Sequence, residues 1–149
     1  MKFPKRKHPR LKEYDYSNDG GYFVTVCVKN KEKLLGEPVL VNGKIKLTPI
    51  GETAEKHIKA MNSAYDGVRV DSYMIMPDHI HMLITISGGM RACRPTSLQT
   101  VVRTFKTMVT REIGFSVWQT SFYEHIVRDE KDYTDIDNYI KANPQKYAR

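Results

Sequence analysis

The chain has 149 residues, of which 40% are hydrophobic, and these values fit one folded domain over residues 1–149 and exclude wholesale disorder. It contains no apolar run of the roughly 20 residues that a membrane helix needs, and its basic N-terminus lacks the apolar segment of a signal peptide. We therefore expect a cytoplasmic protein with no membrane partner. The two cysteines form no disulfide framework, and Cys27, inside an apolar run, is expected to be a buried thiol.

Two stretches of the chain are rich in positive charge. The formal net charge is +7, and residues 1–12 and 87–111 contain basic residues but no acids, whereas acids cluster within residues 129–137. Separate positive and negative faces are typical of a protein that binds a polyanion such as a nucleic acid. The expected phosphate contacts are Lys5, Arg6, Lys7 and Arg10 in a basic N-terminal segment (residues 1–20), and Arg91, Arg94, Arg103 and Lys106. The sequence leaves open whether the N-terminal segment is flexible.

The first half of the chain predicts a strand, a hairpin and a helix. Residues 22–29 are aromatic and β-branched, which favours a buried strand. The Asn-Gly pair at 42–43 separates two alternating runs and predicts a tight β-hairpin. Thr48 is a candidate N-cap with Pro49 as the first helical residue, and the helix that follows is expected to end near Tyr65.

The second half predicts two strands, a helix, an extended segment and a last helix. They cover residues 68–76, 79–86, 96–113, 118–128 and 130–142. Thr96 and Gln99 have the spacing of a capping box at the start of the second helix. The last helix is expected to stop before Pro144, because the residue before a proline avoids the helical region. This order of elements predicts an α+β sandwich, with helices on one face of a single, mainly antiparallel sheet.

The strand predicted over residues 79–86 carries two histidines that are two positions apart. Residues two apart on a strand point the same way, so His79 and His81 are expected to share one face. Two neighbouring imidazoles form half of a metal site; the alternative is a pair of histidines on a solvated face. Asp78 and Glu124 lie near these motifs in the sequence and are further candidate ligands.

A tyrosine and an asparagine lie one helical turn apart near the C-terminus. Tyr139 and Asn143 therefore project from the same side of the last predicted helix. Tyrosine is a potential covalent nucleophile, although its pKa of about 10 requires activation, and the asparagine amide is a potential metal ligand. The spacing alone favours the alternative that Tyr139 packs in the core and Asn143 caps the helix. Tyr123 is interpreted as a packing residue.

Four segments together make the sequence resemble a known family. They are YFVTVCVKN at 22–30, SYMIMPDHIHMLITI at 72–86, WQTSFYEHIVRDEKDY at 118–133 and DNYIKANP at 137–144. In this order, and over nearly the whole chain, they resemble the HUH single-tyrosine transposases of small insertion sequences. The similarity is greatest to the branch called REP-associated tyrosine transposases.

The resemblance implies a fold, a site and a reaction. The fold is ferredoxin-like, with a C-terminal helix that carries the tyrosine. His79 and His81 are implied to hold Mg²⁺ or Mn²⁺, Tyr139 to be the nucleophile, and Asn143 to occupy the place where better-known members have a ligating glutamine. His125 matches a recurrent family position, which gives it an orienting role, although the residues themselves favour a structural hydrogen bond. The implied reaction is metal-dependent cleavage and rejoining of single-stranded DNA at hairpin or repeat elements, through a 5′-phosphotyrosine intermediate.

Two other classes of function are weighed against this one. A non-catalytic, RRM-like nucleic-acid-binding module has a similar predicted architecture, but it would leave the histidine pair and Tyr139 unused. A hydrolytic metalloenzyme for a small phosphorylated substrate would not need two basic stretches. The resemblance leaves the assembly open between a monomer and a homodimer, because some members exchange the tyrosine helix between subunits.

Overall fold

A computed structural model of the protein describes residues 20–64, 67–87 and 97–147, with side chains described to residue 142. In chain order, the described elements are β1 (Gly20–Cys27), β2 (Gly36–Val41), β3 (Lys44–Leu47), α1 (Pro49–Ala64), β4 (Val68–Ile75), β5 (His79–Ile86), α2 (Leu98–Ile113), β6 (Tyr123–Ile126) and α3 (Glu130–Tyr147). No helix in these ranges is long and apolar enough to cross a membrane.

The described part of the chain contains one four-stranded sheet, with the strand order β4-β5-β1-β6. Every neighbouring pair in this sheet is antiparallel. Together with α1 and α2, the four strands follow the chain order β-α-β-β-α-β, which is the ferredoxin-like arrangement. The predicted α+β, ferredoxin-like fold is therefore confirmed.

The predicted hairpin forms its own two-stranded sheet from β2 and β3. Its turn residues Asn42 and Gly43 both have positive φ, 53° and 78°, as a tight hairpin turn requires. The prediction of a single sheet was wrong for this hairpin. The backbone of Leu35, just before β2, is hydrogen-bonded to Pro77 and Thr48, which fixes the base of the hairpin beside the β4–β5 turn. A cavity of about 320 Å³ separates β3 from the edge strand β4.

Helix α1 begins as predicted, and α2 begins one residue later than predicted. Thr48 Oγ1 accepts a hydrogen bond from the Gly51 backbone at 3.1 Å, and a Cβ at Gly51 would overlap the carbonyl of Leu35. The N-cap of α2 is Ser97, whose side chain accepts from Thr100 N, instead of the predicted Thr96, which lies outside the described residues. Because α2 begins at Leu98, this residue is buried on the same face of the helix as Val101 and Val102.

The main core lies between the sheet and helices α1 and α2. Alternate residues of the two central strands point into it and are buried: Val24, Val26, Ile80, Met82 and Ile84. They meet the apolar faces of the helices, which include Ala54, Ile58, Val102 and Phe105. Burial of each large side chain stabilises the fold by about 1.5–3 kcal/mol. The other residues of β1 and β5 consequently point to the opposite face of the sheet.

Helix α3 covers that opposite face, so the predicted placement of the helices on one face of the sheet was wrong for α3. Ile136 and Ile140 are fully buried there against Phe23 and Leu83. Asp129 caps the helix, because its side chain accepts a hydrogen bond from Asp132 N at 2.8 Å. The predicted end near residue 142 was wrong, since the helix continues through Pro144 to Tyr147. A proline disfavours a preceding helical residue without forbidding it, and buried helix contacts one turn earlier offset that preference.

Candidate active site

His79 and His81 share the sheet face that α3 partly covers. Their rings are 4.7 Å apart between centroids. In the β1–β5 register, Thr25 is opposite His81 and Cys27 is opposite His79. The alternation that sends Ile80 and Met82 into the core brings the two imidazoles together on the other side.

His81 is held by contacts from β1. Its Nδ1 lies 3.1 Å from the Thr25 hydroxyl, and its ring stacks on Phe23 at 5.1 Å. Burial, together with nearby His79, lowers the pKa of His81 to about 3, so the ring is neutral at physiological pH. A neutral imidazole is the form that binds a metal. When Nδ1 donates to Thr25, the lone pair is on Nε2.

His79 is oriented by the residue before it. Its Nδ1 is 2.7 Å from Oδ1 of Asp78, the type of carboxylate contact that fixes ligating histidines in metal sites. Asp78 therefore contacts the imidazole through Oδ1, and a direct role of Asp78 as a metal ligand stays a prediction. Glu124 is opposite Val24 in the β1–β6 register and is buried on the α1/α2 side of the sheet, away from the histidines.

Tyr139 lies over the same place on the sheet. Its ring centroid is 5.7 Å from that of His81 and 6.0 Å from that of Phe23, both in edge-on geometry. Because Ile136 and Ile140 anchor α3 to the sheet, the tyrosine between them is brought against the buried histidine. The histidines and the tyrosine, 58 to 60 positions apart in the sequence, thus lie at one site.

The contact residues that fix α3 include one that sequence reasoning missed. Asp71 on β4 accepts hydrogen bonds from Thr85 at 2.6 Å and from the Tyr133 hydroxyl at 2.8 Å, and it also binds Arg69. Burial alone would raise the pKa of Asp71, but these hydrogen bonds outweigh it and lower the pKa below its ordinary value. A strand bulge at this position breaks the alternation that could have indicated which way Asp71 points.

His125 and Tyr123 occupy the edge strand β6 on the same face. His125 Nε2 is 3.0 Å from Asp132 at the start of α3, which is the structural hydrogen bond that the residues favoured. Tyr123 is 48% exposed, so its interpretation as a packing residue was wrong. It lies at the beginning of an edge strand, opposite Thr25, while the buried residues of α3 pack further along the sheet, at Phe23.

The donor set suits a divalent cation but is incomplete among the described residues. These include no group of three or more His, Cys, Asp or Glu side chains that could hold a metal. His79 and His81, each with Nδ1 contacted by another side chain, would supply two nitrogen ligands and leave positions for oxygen. The side chain of Asn143 lies outside the described part. Cys27 is half-buried, and burial raises the pKa of its thiol, which disfavours the thiolate that a metal would need.

Two of the predicted phosphate contacts lie along α2. Arg103 is exposed, and Lys106 donates to the carbonyls of Gln119 and Ser121 at 2.8 and 3.1 Å. They line a groove of about 560 Å³ whose other described lining residues are uncharged: Gln99, Thr107, Thr120, Ser121 and Phe122. The predicted contacts outside the described residues are Lys5, Arg6, Lys7, Arg10, Arg91 and Arg94.

Comparison with known proteins shows the family. The family described as "Transposase IS200 like" matches residues 16–143, and the chain belongs to it. The predicted family resemblance is thereby confirmed: the protein is a transposase, an enzyme, and the non-catalytic alternative is not supported. An uncharacterized protein of Haemophilus influenzae is 37% identical over an alignment of 161 positions. The alignment covers 93% of this chain and 88% of that protein.

Two further relatives carry a more specific description. A REP-associated tyrosine transposase of Escherichia coli K12 is 29% identical over 80 residues, covering 53% of this chain and 46% of that protein. A putative REP-associated tyrosine transposase of Haemophilus influenzae is 25% identical, with coverages of 90% and 75%.

Solved structures share the fold. A REP-associated tyrosine transposase bound to a REP hairpin superposes with a TM-score of 0.69 at 24% identity, over 92% of this chain and 74% of that one. A putative transposase from Deinococcus radiodurans gives a TM-score of 0.53 at 15% identity, over 89% and 95%.

Proposed function

We propose that this transposase cuts and rejoins single-stranded DNA through a covalent bond between the DNA and Tyr139. The observation that carries the proposal is the juxtaposition of the Tyr139 ring with His81, at 5.7 Å, and of His81 with His79, at 4.7 Å. A nucleophilic hydroxyl and two potential metal ligands thus line one place on the sheet. Covalent attack on a phosphate in a metal-assisted site requires these groups.

The two histidines would hold the divalent cation, Mg²⁺ or Mn²⁺, with Asn143 as the proposed third ligand. When bound, the cation supplies neutralisation of the charge on the scissile phosphate and alignment of that phosphate. Thr25 and Asp78 contact Nδ1 of His81 and His79, which supports Nε2 as the atom of each ring that would bind the cation. His125, through Asp132, helps to hold the start of the helix that carries the nucleophile.

The reaction conserves the energy of the phosphodiester. The Tyr139 oxygen attacks phosphorus, the bond from phosphorus to the 3′ oxygen breaks, and the 5′-phosphate stays on the tyrosine. The hydroxyl proton of Tyr139 is released and the departing 3′ oxygen takes up a proton, which leaves a 3′-OH. Attack by a 3′-OH on the phosphotyrosine reverses these steps and joins the strands, so no ATP is consumed.

The proposed substrate is a DNA hairpin or repeat with a single-stranded flank. One solved relative is described as bound to a REP hairpin, and two curated relatives are described as REP-associated. The groove that contains Arg103 and Lys106 has no carboxylate among its described lining residues, as expected of a surface for phosphates.

The test is direct detection of the covalent intermediate. The protein is incubated with Mg²⁺ or Mn²⁺ and with oligonucleotides that combine a hairpin and a single-stranded flank, then separated under denaturing conditions. We expect a protein–DNA adduct that resists SDS and that a chelator prevents. Absence of an adduct with every hairpin and either metal would contradict the proposal.

A further inference from the structure

Tyr123 is an exposed aromatic side chain beside the candidate active site. Among the tyrosines whose side chains the structure describes, it alone is exposed, at 48%. Burial normally stabilises a large ring, and an exposed ring gains no such stabilisation from the core. An exposed ring at a functional face is therefore a candidate for contact with a ligand.

The sheet register places Tyr123 in line with the site. Thr25 is opposite Tyr123 on one side and opposite His81 on the other. Directly opposite residues project from the same face, and the Thr25 hydroxyl contacts His81 Nδ1. Two strand spacings, together about 10 Å, therefore separate the backbones of Tyr123 and His81. A base next to a phosphate held at the histidines lies within reach of the ring.

The segment before Tyr123 connects the active-site face to the basic groove. Lys106 of α2 holds the carbonyls of Gln119 and Ser121, and Phe122, the residue before Tyr123, lines the groove. The groove is on the α2 side of the sheet, and β6 is the edge strand between the two faces. A DNA strand that passes from the groove around this edge to the histidines therefore passes Tyr123.

We propose that Tyr123 stacks on a base of the single strand next to the scissile phosphate and so fixes where that strand enters the site. This proposal rests on the proposed function. Aromatic stacking contributes about 1–3 kcal/mol per base and tolerates any base. Tyr123 therefore selects the position of an unpaired nucleotide, whatever its identity. The hydroxyl group has no part in this role.

Binding measurements on protein and DNA variants test the proposal. Tyr123→Ala is expected to weaken binding to a hairpin with a single-stranded flank by about 5- to 150-fold, the range that corresponds to the stacking energy of one base. Tyr123→Phe and Tyr123→Trp keep the ring and should bind within about twofold of the unchanged protein. On a blunt hairpin without a flank, Tyr123→Ala should bind as well as the unchanged protein. Circular dichroism establishes that the variants are folded.

An abasic site moved along the flank identifies the base. At one position, removal of the base should weaken binding to the unchanged protein but not to Tyr123→Ala, because both changes remove the same contact. The proposal would be overturned if the losses of binding caused by the abasic site and by Tyr123→Ala add at every position. It would also be overturned if Tyr123→Ala bound the flanked hairpin as tightly as the unchanged protein. The assay measures binding without cleavage, so its outcome is separate from adduct formation: an adduct with additive losses would reject stacking and leave the proposed reaction in place.

Discussion

Two tyrosines near the sheet, Tyr133 and Tyr73, have hydroxyls that are hydrogen-bonded to carboxylates. Burial and a hydrogen bond to Asp71 raise the pKa of Tyr133 to about 12. Burial and a hydrogen bond to Glu55 raise that of Tyr73 to about 12 as well. A raised pKa makes the nucleophilic phenolate harder to form. Tyr139, whose ring centroid lies 5.7 Å from that of His81, is the proposed nucleophile.

We expect Tyr139→Phe to abolish the covalent adduct while folding and DNA affinity are kept, because only one oxygen is removed. Tyr133→Phe and Tyr147→Phe are matched controls and should still form the adduct. Peptide mapping of the trapped adduct is the direct measurement. A nucleotide attached to any tyrosine other than Tyr139 would show that the assignment is incorrect.

The histidine pair gives a second prediction at this scale. His79→Ala and His81→Ala should each abolish metal-dependent cleavage but leave most of the DNA affinity, which basic side chains supply. His57→Ala is the control, since His57 lies on α1 and contacts Glu112 away from the site. Cleavage and binding are measured on one oligonucleotide. Full cleavage by a His79, His81 double alanine variant would exclude the metal site.

The two histidines could be placed from the sequence because their relation is local. Alternation along a strand has a period of two residues, so a shared face for His79 and His81 follows from their spacing. The contacts that support the site, in contrast, join residues that are distant in the sequence. Thr25 is 56 residues from His81, and Tyr133 is 62 residues from Asp71, and no local periodicity relates such pairs. The exposure of Tyr123 likewise depends on which part of the sheet α3 covers.

At the scale of elements, α3 is joined to the sheet by apolar burial and by the hydrogen bond from Tyr133 to Asp71. The Asp71 side chain is 8% exposed, and its carboxylate accepts from Thr85 and from Tyr133 of α3. We expect Asp71→Asn to lower the free energy of unfolding at pH 7 by about 1–3 kcal/mol, the usual loss for a hydrogen-bonded buried charge. Urea unfolding measures the change.

The same interaction predicts a pH dependence. The folded pKa of Asp71 is lower than the ordinary value of 3.8, so the carboxylate stabilises the folded state fully above that value. This contribution is lost as the pH falls through the lower folded pKa. The difference between the unchanged protein and Asp71→Asn should therefore shrink below about pH 3.8. Asp135→Asn is the control: Asp135 pairs with Lys131 on the surface, and a difference as large as that of Asp71→Asn would contradict this account.

The boundaries of helices and strands were predicted correctly where a few adjacent residues determine them. The Asn-Gly turn and the Thr48 cap each depend on a few adjacent residues, and both were predicted correctly. The end of α3 was not, because the preference of the residue before Pro144 competes with tertiary burial. The separate hairpin sheet was not predicted either, since its position depends on backbone hydrogen bonds of Leu35 to Pro77, 42 residues away.

For the whole molecule, we expect DNA binding to weaken steeply with salt, because phosphate contacts release counterions. Neutralising Arg91, Arg94, Arg103 and Lys106 together should lower the slope of log affinity against log salt by a few units at most, about one per phosphate contact. Lys106 also donates hydrogen bonds to backbone carbonyls, so its replacement changes both charge and structure. Arg103→Gln alone therefore measures the effect of removing one charge. Lys131→Gln, beside acidic residues on α3, is the control. An unchanged slope in the fourfold variant would place the DNA on another face.

The pairing of the central strand β1 affects the order in which parts of the protein fold during translation. It pairs on one side with β5, whose residues are made about 60 positions later, and on the other with β6, made about 100 positions later. A nascent chain can therefore form the histidine pair well before residue 139 leaves the ribosome. Distant pairings of this kind also slow folding. A ribosome stalled between β5 and α3 would hold a protein without its proposed nucleophile, so incomplete chains should be harmless to DNA.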